Sequence, residues 1–303
     1  MDQSPASAAS QIAIKHVQAV INTASGSVGP KAADEMKAIL ERFGLQNRVA
    51  SVEPAELERA LQDALQAQPD LLIVLAGDGT ISRAADLVGA DGPLLAPLPG
   101  GSLNMLPKAL YGAKPWVEAL NDCLSQGVVQ PVACGEVGGR RFYCAAILGS
   151  PALWQPAREA ARRNDLPAAW RQALFALRRA FSTRLRFQVA GGSKHKTVAL
   201  SLICPLVSRT AAGQDWLEAA GLNVNDMVSL LRLALNNLLS DWRRDPSVIT
   251  ERCVEGRAWA RRRIPSLLDG EMCWLERMSV IRFHPLAFNA LVPAPNPAAE
   301  AAS

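Results

Sequence analysis

A chain of 303 residues, 49% of them apolar and 20% charged, has the make-up of a globular protein with enough apolar surface for one or two cored domains, and two are expected. No run approaches the roughly 18 apolar residues of a bilayer-spanning helix, and Met1 to Ser10 lacks the basic and apolar regions of a secretory signal, so a cytoplasmic protein is expected. The formal net charge of +4 is too small to argue for nucleic acid, but it is uneven: eight arginines face only Glu159 and Asp165 between Pro151 and Ala190.

Residues 1–10 and 293–303 are rich in Ala, Ser and Pro, cannot bury much surface, and are expected to be disordered. From Ile12 to Ile21 a strand-like run leads into Asn22-Thr23-Ala24-Ser25-Gly26-Ser27. A helical pattern follows through Met36, Ile39, Leu40 and Phe43 to a stop at Gly44. The order repeats: a short strand near Val49 to Val52, a helix from about Pro54 to Gln66, the strand Leu71 to Leu75, a helix after Thr80, and a strand near Leu94 to Leu98. Such alternation predicts a parallel sheet covered by helices, here a domain over 11–130.

After Gln130 strand-like runs arrive without regular helices between them: Val132 to Val137, Arg141 to Leu148, Leu185 to Val189, Thr197 to Leu202 and Met278 to Phe283. They predict a second, mainly antiparallel β domain over 131–292, interrupted by the arginine-rich stretch and by Val224 to Trp242. The six cysteines are scattered with no CxxC pair and no His at ligand spacing, so they read as small, reduced, buried residues.

In an open parallel sheet ligands collect beyond the carboxyl ends of the strands. Three loops end strands there: Asn22 to Gly26, Gly77-Asp78-Gly79-Thr80, and Pro99-Gly100-Gly101-Ser102-Leu103-Asn104. Glycines let backbone N–H groups approach a phosphate, hydroxyls donate to its oxygens, and a helix N-terminus favours negative charge. The lysine of a GxxxxGK[ST] loop is absent, and so is a GxGxxG after the first strand. Asp78 is ambiguous on its residue type alone. A carboxylate beside polyphosphate must work through Mg²⁺ or a hydroxyl proton, but an Asp at a helix start is equally a cap.

The segments "LAGDGTISRAADL" and, about twenty residues on, "LPGGSLNMLPKAL" resemble the diacylglycerol kinase catalytic-domain family of bacterial lipid kinases and sphingosine and ceramide kinases. "INTASG" is similar to that family's Asn-Pro-x-Ser-Gly loop, "GGRRFYCAAILG" to the opening of its second domain, and "LLDGE" to its late acidic motif. The resemblance implies an N-terminal α/β domain like that of NAD kinase, a C-terminal antiparallel β-sandwich, and an active site in the cleft between them. It places Asn22, Ser25, Gly26, Gly77, Asp78, Gly79, Thr80, Gly101, Ser102 and Asn104 on the nucleotide-phosphate loops. Asp269 and Glu271 fall on the catalytic carboxylates beside Asp78, with Asp78 and Glu271 as Mg²⁺ ligands and ATP as the phosphoryl donor. Ala76 stands where the family has Gly, Thr23 where it has Pro, Ser102 where it has Thr, and Met105 where bacterial diacylglycerol kinases often have Asp.

The activity implied is transfer of the γ-phosphoryl group of ATP to a lipid hydroxyl. A soluble NAD-kinase-like enzyme and a catalytically inactive nucleotide-binding regulator are the alternatives. No TPTGSTAY-like substrate segment of NAD kinases is present, and Asp78, Asp269 and Glu271 are all retained. Trp154, Trp170, Phe175 and Phe181 among the arginines of 151–190 suit peripheral contact with an anionic membrane surface. For most of these side chains the expectation is instead a helix pair packing its aromatics on the second domain with the arginines in solvent, and the arginines can serve both roles. The expected partner is therefore a lipid at a membrane surface, with no nucleic acid and with a homodimer left open.

Overall fold

The computed structural model describes residues 13–149, 152, 184–208, 210–222 and 248–294. The chain forms two units, Met1–Pro131 with Phe288–Ser303, and Val132–Ala287. Residues from Phe288 onward thus belong with the first unit and not with the second domain expected over 131–292. Most of the arginine-rich stretch, including Arg158, Arg162, Arg163, Arg178, Arg179 and its aromatics, lies outside the described residues, as does Val224 to Trp242.

In the first unit the elements run β1 (His16–Asn22), α1 (Ala32–Arg42), β2 (Gln46–Val52), a 3₁₀ turn at Pro54–Glu56, α2 (Leu57–Gln66), β3 (Leu71–Ala76), α3 (Asp78–Val88), β4 (Leu94–Pro99), α4 (Met105–Tyr111) and α5 (Trp116–Gln126). The strands lie in the order β2-β1-β3-β4, each pair parallel. The sequence explains the order of burial. β3, "LLIVLA", is buried at every position, as a central parallel strand covered on both faces must be. β2, "QNRVASV", carries polar residues and lies at the edge. α1 buries Met36, Ile39 and Leu40, and α2 buries Leu57, Leu61 and Ala64, each set one stripe of a helix. α3 starts at Asp78, three residues before the expected Ile81, because Gly77, in extended conformation, is its N-cap.

The second unit is a β-sandwich. Its first sheet contains β8 (Leu185–Val189), β9 (His195–Thr197), β13 (Glu255–Trp259) and the first half of β16 (Met278–Pro293), with β5 (Gly127–Val137) and β6 (Arg140–Phe142) beside β16. The second runs β12-β11-β10-β7-β14-β15, formed by Val248–Cys253, Leu217–Leu222, Ala199–Ile203, Ala145–Gly149, Ile264–Leu268 and Glu271–Leu275 respectively. Every adjacent pair of that second sheet is antiparallel. One core joins the sheets: Phe142, Phe187, Ile281 and Phe283 from the first meet Leu148, Leu202, Leu217 and Ile264 from the second.

Two runs expected as single strands are each divided between the sheets. Arg141 to Leu148 breaks at the fully buried Tyr143 and Cys144, and Thr197 to Leu202 breaks at Val198. A continuous apolar run does not mark such a corner, because both halves bury one face. β16 passes between the units, and its pattern records the passage. Met278 to Phe283 alternates exposed and buried beside β13, whereas Ala287 to Val292 is almost wholly buried, with Ala290 parallel to Leu95 of β4. Tyr111 Oη and the N–H of Ala294 tie this second half to α4 and α5, through Leu291 O at 3.2 Å and Gln126 O at 2.9 Å. Of the six cysteines five are buried, and burial pushes the Cys123 and Cys253 thiols up to about 12.

Asp70, just before β3, accepts the N–H groups of Lys15 and His16, both at 2.8 Å, and so pins the start of β1. The bonds from His16 and then Lys15 hold its carboxyl below the usual 3.8. With the folded value lowered, this contribution to stability is present above the ordinary carboxylate range and is lost as pH falls through the lowered value. Urea midpoints measured between about pH 5 and pH 2 should therefore fall less steeply in Asp70→Asn than in the wild type, while the variant is the less stable at neutral pH. Parallel acid limbs would mean that these N–H bonds contribute nothing.

Candidate functional site

The three glycine- and hydroxyl-bearing loops follow β1, β3 and β4, which are neighbours in the sheet in that order. The chain leaves β1 for β2 on one side and returns to β3 on the other, so the loops sit beyond the carboxyl ends of the strands around the reversal of strand order. This placement comes from topology before any side chain is considered.

The first loop is shaped by its own residues. Asn22 accepts the N–H of Ala24 on Oδ1 at 3.0 Å and that of Ser25 on its carbonyl at 3.2 Å, a local turn that Asn makes readily. Thr23 donates its N–H to Val52 O at 3.1 Å and its hydroxyl to Glu53 at 2.8 Å. A proline there, as in the family, could not make the first of these bonds. Ser27, passed over in the sequence, joins the first loop to the third: its N–H donates to Gly100 O at 2.9 Å and its hydroxyl to Gly101 O at 3.0 Å.

Glycine is required where the second and third loops meet. A Cβ on Gly101 would lie 2.7 Å from Gly77 Cα, and one on Gly100 would lie 2.8 Å from Ala76 N. These glycines permit loop-on-loop packing, a duty separate from any ligand. Ala76 itself is buried at the end of β3, and it is not among the residues with positive φ, so the missing glycine costs no strain.

Asn104 takes the left-handed conformation (φ 52°) that Asn tolerates, is 8% exposed, and closes the third loop on itself. Its Oδ1 accepts the N–H of Gly101 at 2.7 Å, and its Nδ2 donates to Gly101 O at 2.8 Å. Asp78 does not cap its own helix. Its Oδ2 accepts the N–H of Asn104 at 2.8 Å and its Oδ1 that of Met105 at 2.6 Å, so it caps α4 from the neighbouring loop. α4 has no acidic residue in its first turn and no side-chain cap of its own. Met105 contributes a backbone N–H to this contact, which an Asp at that position would supply equally well.

What remains free is suited to an anion. The N–H groups of Asp78, Gly79 and Thr80 precede the first bond within α3, from Ile81 N–H to Gly77 O at 3.1 Å. The hydroxyls of Ser25, Thr80 and Ser102 take no hydrogen-bond partner among the described residues and are at least partly exposed. Gly26 is exposed, with open space where a Cβ would stand. Together they offer donors from three loops and the positive end of an 11-residue helix.

In the second unit Asp269 is 6% exposed with φ 45°, followed by Gly270 at φ 87°. Its Oδ2 accepts the N–H of Tyr143 at 2.6 Å, and its Oδ1 accepts those of Cys144 and Ala145, both at 2.9 Å. These are the amides of Tyr143 and Cys144, at the corner where the chain changes sheets, and of Ala145, the first residue of β7. Asp269 therefore satisfies buried donors that would otherwise be orphaned. Glu271 is exposed at the start of β15. Among the described residues no three His, Cys, Asp or Glu side chains cluster as a metal site.

Residues 16–137 match the family model of the diacylglycerol kinase catalytic domain. The chain is also similar to a solved diacylglycerol kinase from Bacillus anthracis str. Sterne, with TM-score 0.68 and 13% identity over 95% of this chain and 99% of that one. Two further structures from the same strain, provisionally named as diacylglycerol kinases, superpose with TM-score 0.70 at 15% and 16% identity and the same coverage. Identities of this size speak for the fold; the family pattern rests on the sequence match over the first unit, which contains all three loops.

Both acidic motifs thus hold backbone, which bears on any substitution. Asp78→Asn and Asp269→Asn each turn an NH₂ group toward a backbone N–H, and each should cost about 1–3 kcal/mol of stability. Urea unfolding followed by fluorescence measures this. Midpoints equal to the wild type in both variants would contradict the bracing role.

Proposed function

We propose that the protein is an ATP-dependent lipid kinase that transfers a γ-phosphoryl group to a lipid hydroxyl. The observation that carries the reading is the convergence of the three loops after β1, β3 and β4, with unused N–H groups and hydroxyls, inside the segment that matches a diacylglycerol kinase catalytic domain. Phosphoryl transfer asks a protein mainly for positioning and for stabilisation of charge on the transferring group. The N–H groups of Asp78 to Thr80 and the hydroxyls of Ser25, Thr80 and Ser102 are donors of the kind that bind phosphate oxygens. Asn22, Asn104 and the glycines fix where those donors stand.

The residues are compatible with Mg²⁺. Each Asp78 oxygen uses one lone pair on an N–H and keeps another, and one or two carboxylates with substrate phosphates are the usual protein share of such a site. A bound Mg²⁺ would neutralise charge developing on the phosphates. Proton acceptance from the lipid hydroxyl is assigned to the Asp269–Glu271 turn by its likeness to the family's acidic motif. Asp269 would carry that duty in addition to bracing the corner.

The test is incubation of the purified chain with labelled ATP and Mg²⁺ against diacylglycerol, monoacylglycerol, sphingosine and ceramide dispersed in detergent, with NAD as a separate acceptor. Label should enter a lipid. Glu271→Gln, whose side chain is exposed, should lower kcat by about 10²- to 10⁴-fold if it shares in proton transfer, with the unfolding midpoint unchanged. Label entering NAD alone, or no acceptor at all, would overturn the proposal.

A further inference from the structure

Deepening the lipid-kinase reading on which it rests, we propose that one end of the outer face of the first sandwich sheet is a docking surface for an anionic bilayer. The register defines that face. Met278 pairs with Trp259, Trp259 with Arg186, and Arg186 with Lys196, so these four side chains form one row across β16, β13, β8 and β9. Residues directly opposite in adjacent strands share a face. The neighbouring row holds Val280, Arg257 and Gln188. The intervening residues Ser279, Ala258 and Phe187 are buried on the core side, so the two rows point away from it.

Met278 is 64% exposed and Val280 39% exposed, while Arg186, Lys196 and Arg257 are exposed beside them. A single exposed apolar side chain is ordinary; a Trp, a Met and a Val in contiguous rows among cations are not the usual make-up of a solvated face. The adjoining turns add exposed Arg261, Arg262 and Arg277, and their one carboxylate, Glu276, is already bound to Arg263 at 2.8 Å. At the other end of the same sheet the charges compensate. Arg282 stands opposite Glu255 and 3.5 Å from Glu136, which also holds His284 at 3.2 Å. The cations of β16, β13 and β8 that no carboxylate faces therefore lie at the Trp259–Met278 end.

The charge names the occupant. Cations near an anionic leaflet each contribute about a fivefold gain in binding, and interfacial Trp and Met place an apolar body at headgroup depth while Arg and Lys reach phosphates. Nucleic acid would use the cations and leave Met278 and Val280 unoccupied. The surface lies wholly in described residues and needs none of the arginine-rich stretch between 153 and 183.

The full chain, without ATP, should sediment with vesicles of phosphatidylcholine and phosphatidylglycerol, less with phosphatidylcholine alone, and less as salt rises. Arg186→Gln with Arg257→Gln should weaken binding roughly 30-fold, and reversal of both to Glu by more than that. Met278→Glu should weaken it independently, with unfolding midpoints near the wild type in all three. Phosphorylation of a short-chain acceptor dissolved as monomer should be unchanged in these variants. Equal binding to neutral and anionic vesicles, tighter binding to an oligonucleotide than to anionic vesicles, or a dimer that Met278→Glu dissociates would each overturn the proposal. The wild-type lipid and salt dependence decides even if a variant folds poorly. Charge-dependent binding without any phosphorylated lipid would sink the kinase reading and leave the docking surface standing; phosphorylation with vesicle binding indifferent to the variants would do the reverse.

Discussion

The candidate site hangs on one carboxylate reaching across two loops. Asp78, at the first turn of α3, accepts the N–H groups that begin α4, and so joins the ends of β3 and β4 by bonds of 2.8 and 2.6 Å. Bonds of this kind, with charge on the acceptor, are about twice as strong as neutral ones. They hold the third loop where Gly101 can pack against Gly77 and where Asn104 can close on Gly101. They also leave the N–H groups of α3 facing outward, unclaimed by any side chain of its own first turn. A cap within α3 would have used the donors that an anionic ligand needs.

The same device recurs where the backbone has nowhere else to go. Asp70 takes two N–H groups at the entry to β1, and Asp269 takes three at the corner where the chain crosses between sandwich sheets. An acceptor with two oxygens can satisfy several amides at once, which no neutral side chain does as compactly. Asp78 and Asp269 are the residues that likeness to kinases marks as catalytic. Their geometry makes them supports of the backbone as well, so lost activity on substitution cannot be read as lost chemistry until stability has been measured beside it.

Much of the first unit was legible because its signals are periodic. Continuous apolar strands and striped helices fixed the parallel sheet, and the carboxyl ends of β1, β3 and β4 then marked the loops. Of β16 only Met278 to Phe283 is expected from its alternation; "LAFNALV" does not alternate, because the strand passes from an antiparallel to a parallel setting. Other features left no local trace. The corners at Tyr143–Cys144 and Val198 sit inside apolar runs, and α4 is seven residues long and capped from a loop 26 residues earlier. The bridging role of Ser27 depends on Gly100 and Gly101, more than seventy residues away. Likeness to the kinase family singled out Asp78 and Asp269; only three-dimensional contact showed what their oxygens already hold.

The central claim is that a nucleotide's phosphates bind on the loops after β1, β3 and β4. Amide hydrogen exchange followed by mass spectrometry, with and without ATP and Mg²⁺, tests it directly because the donors are backbone groups. The account predicts slower exchange in peptides covering residues 22–27, 77–81 and 100–105, with little change in α1 and α2. Tight ATP binding that protects other segments and leaves these three unchanged would contradict it.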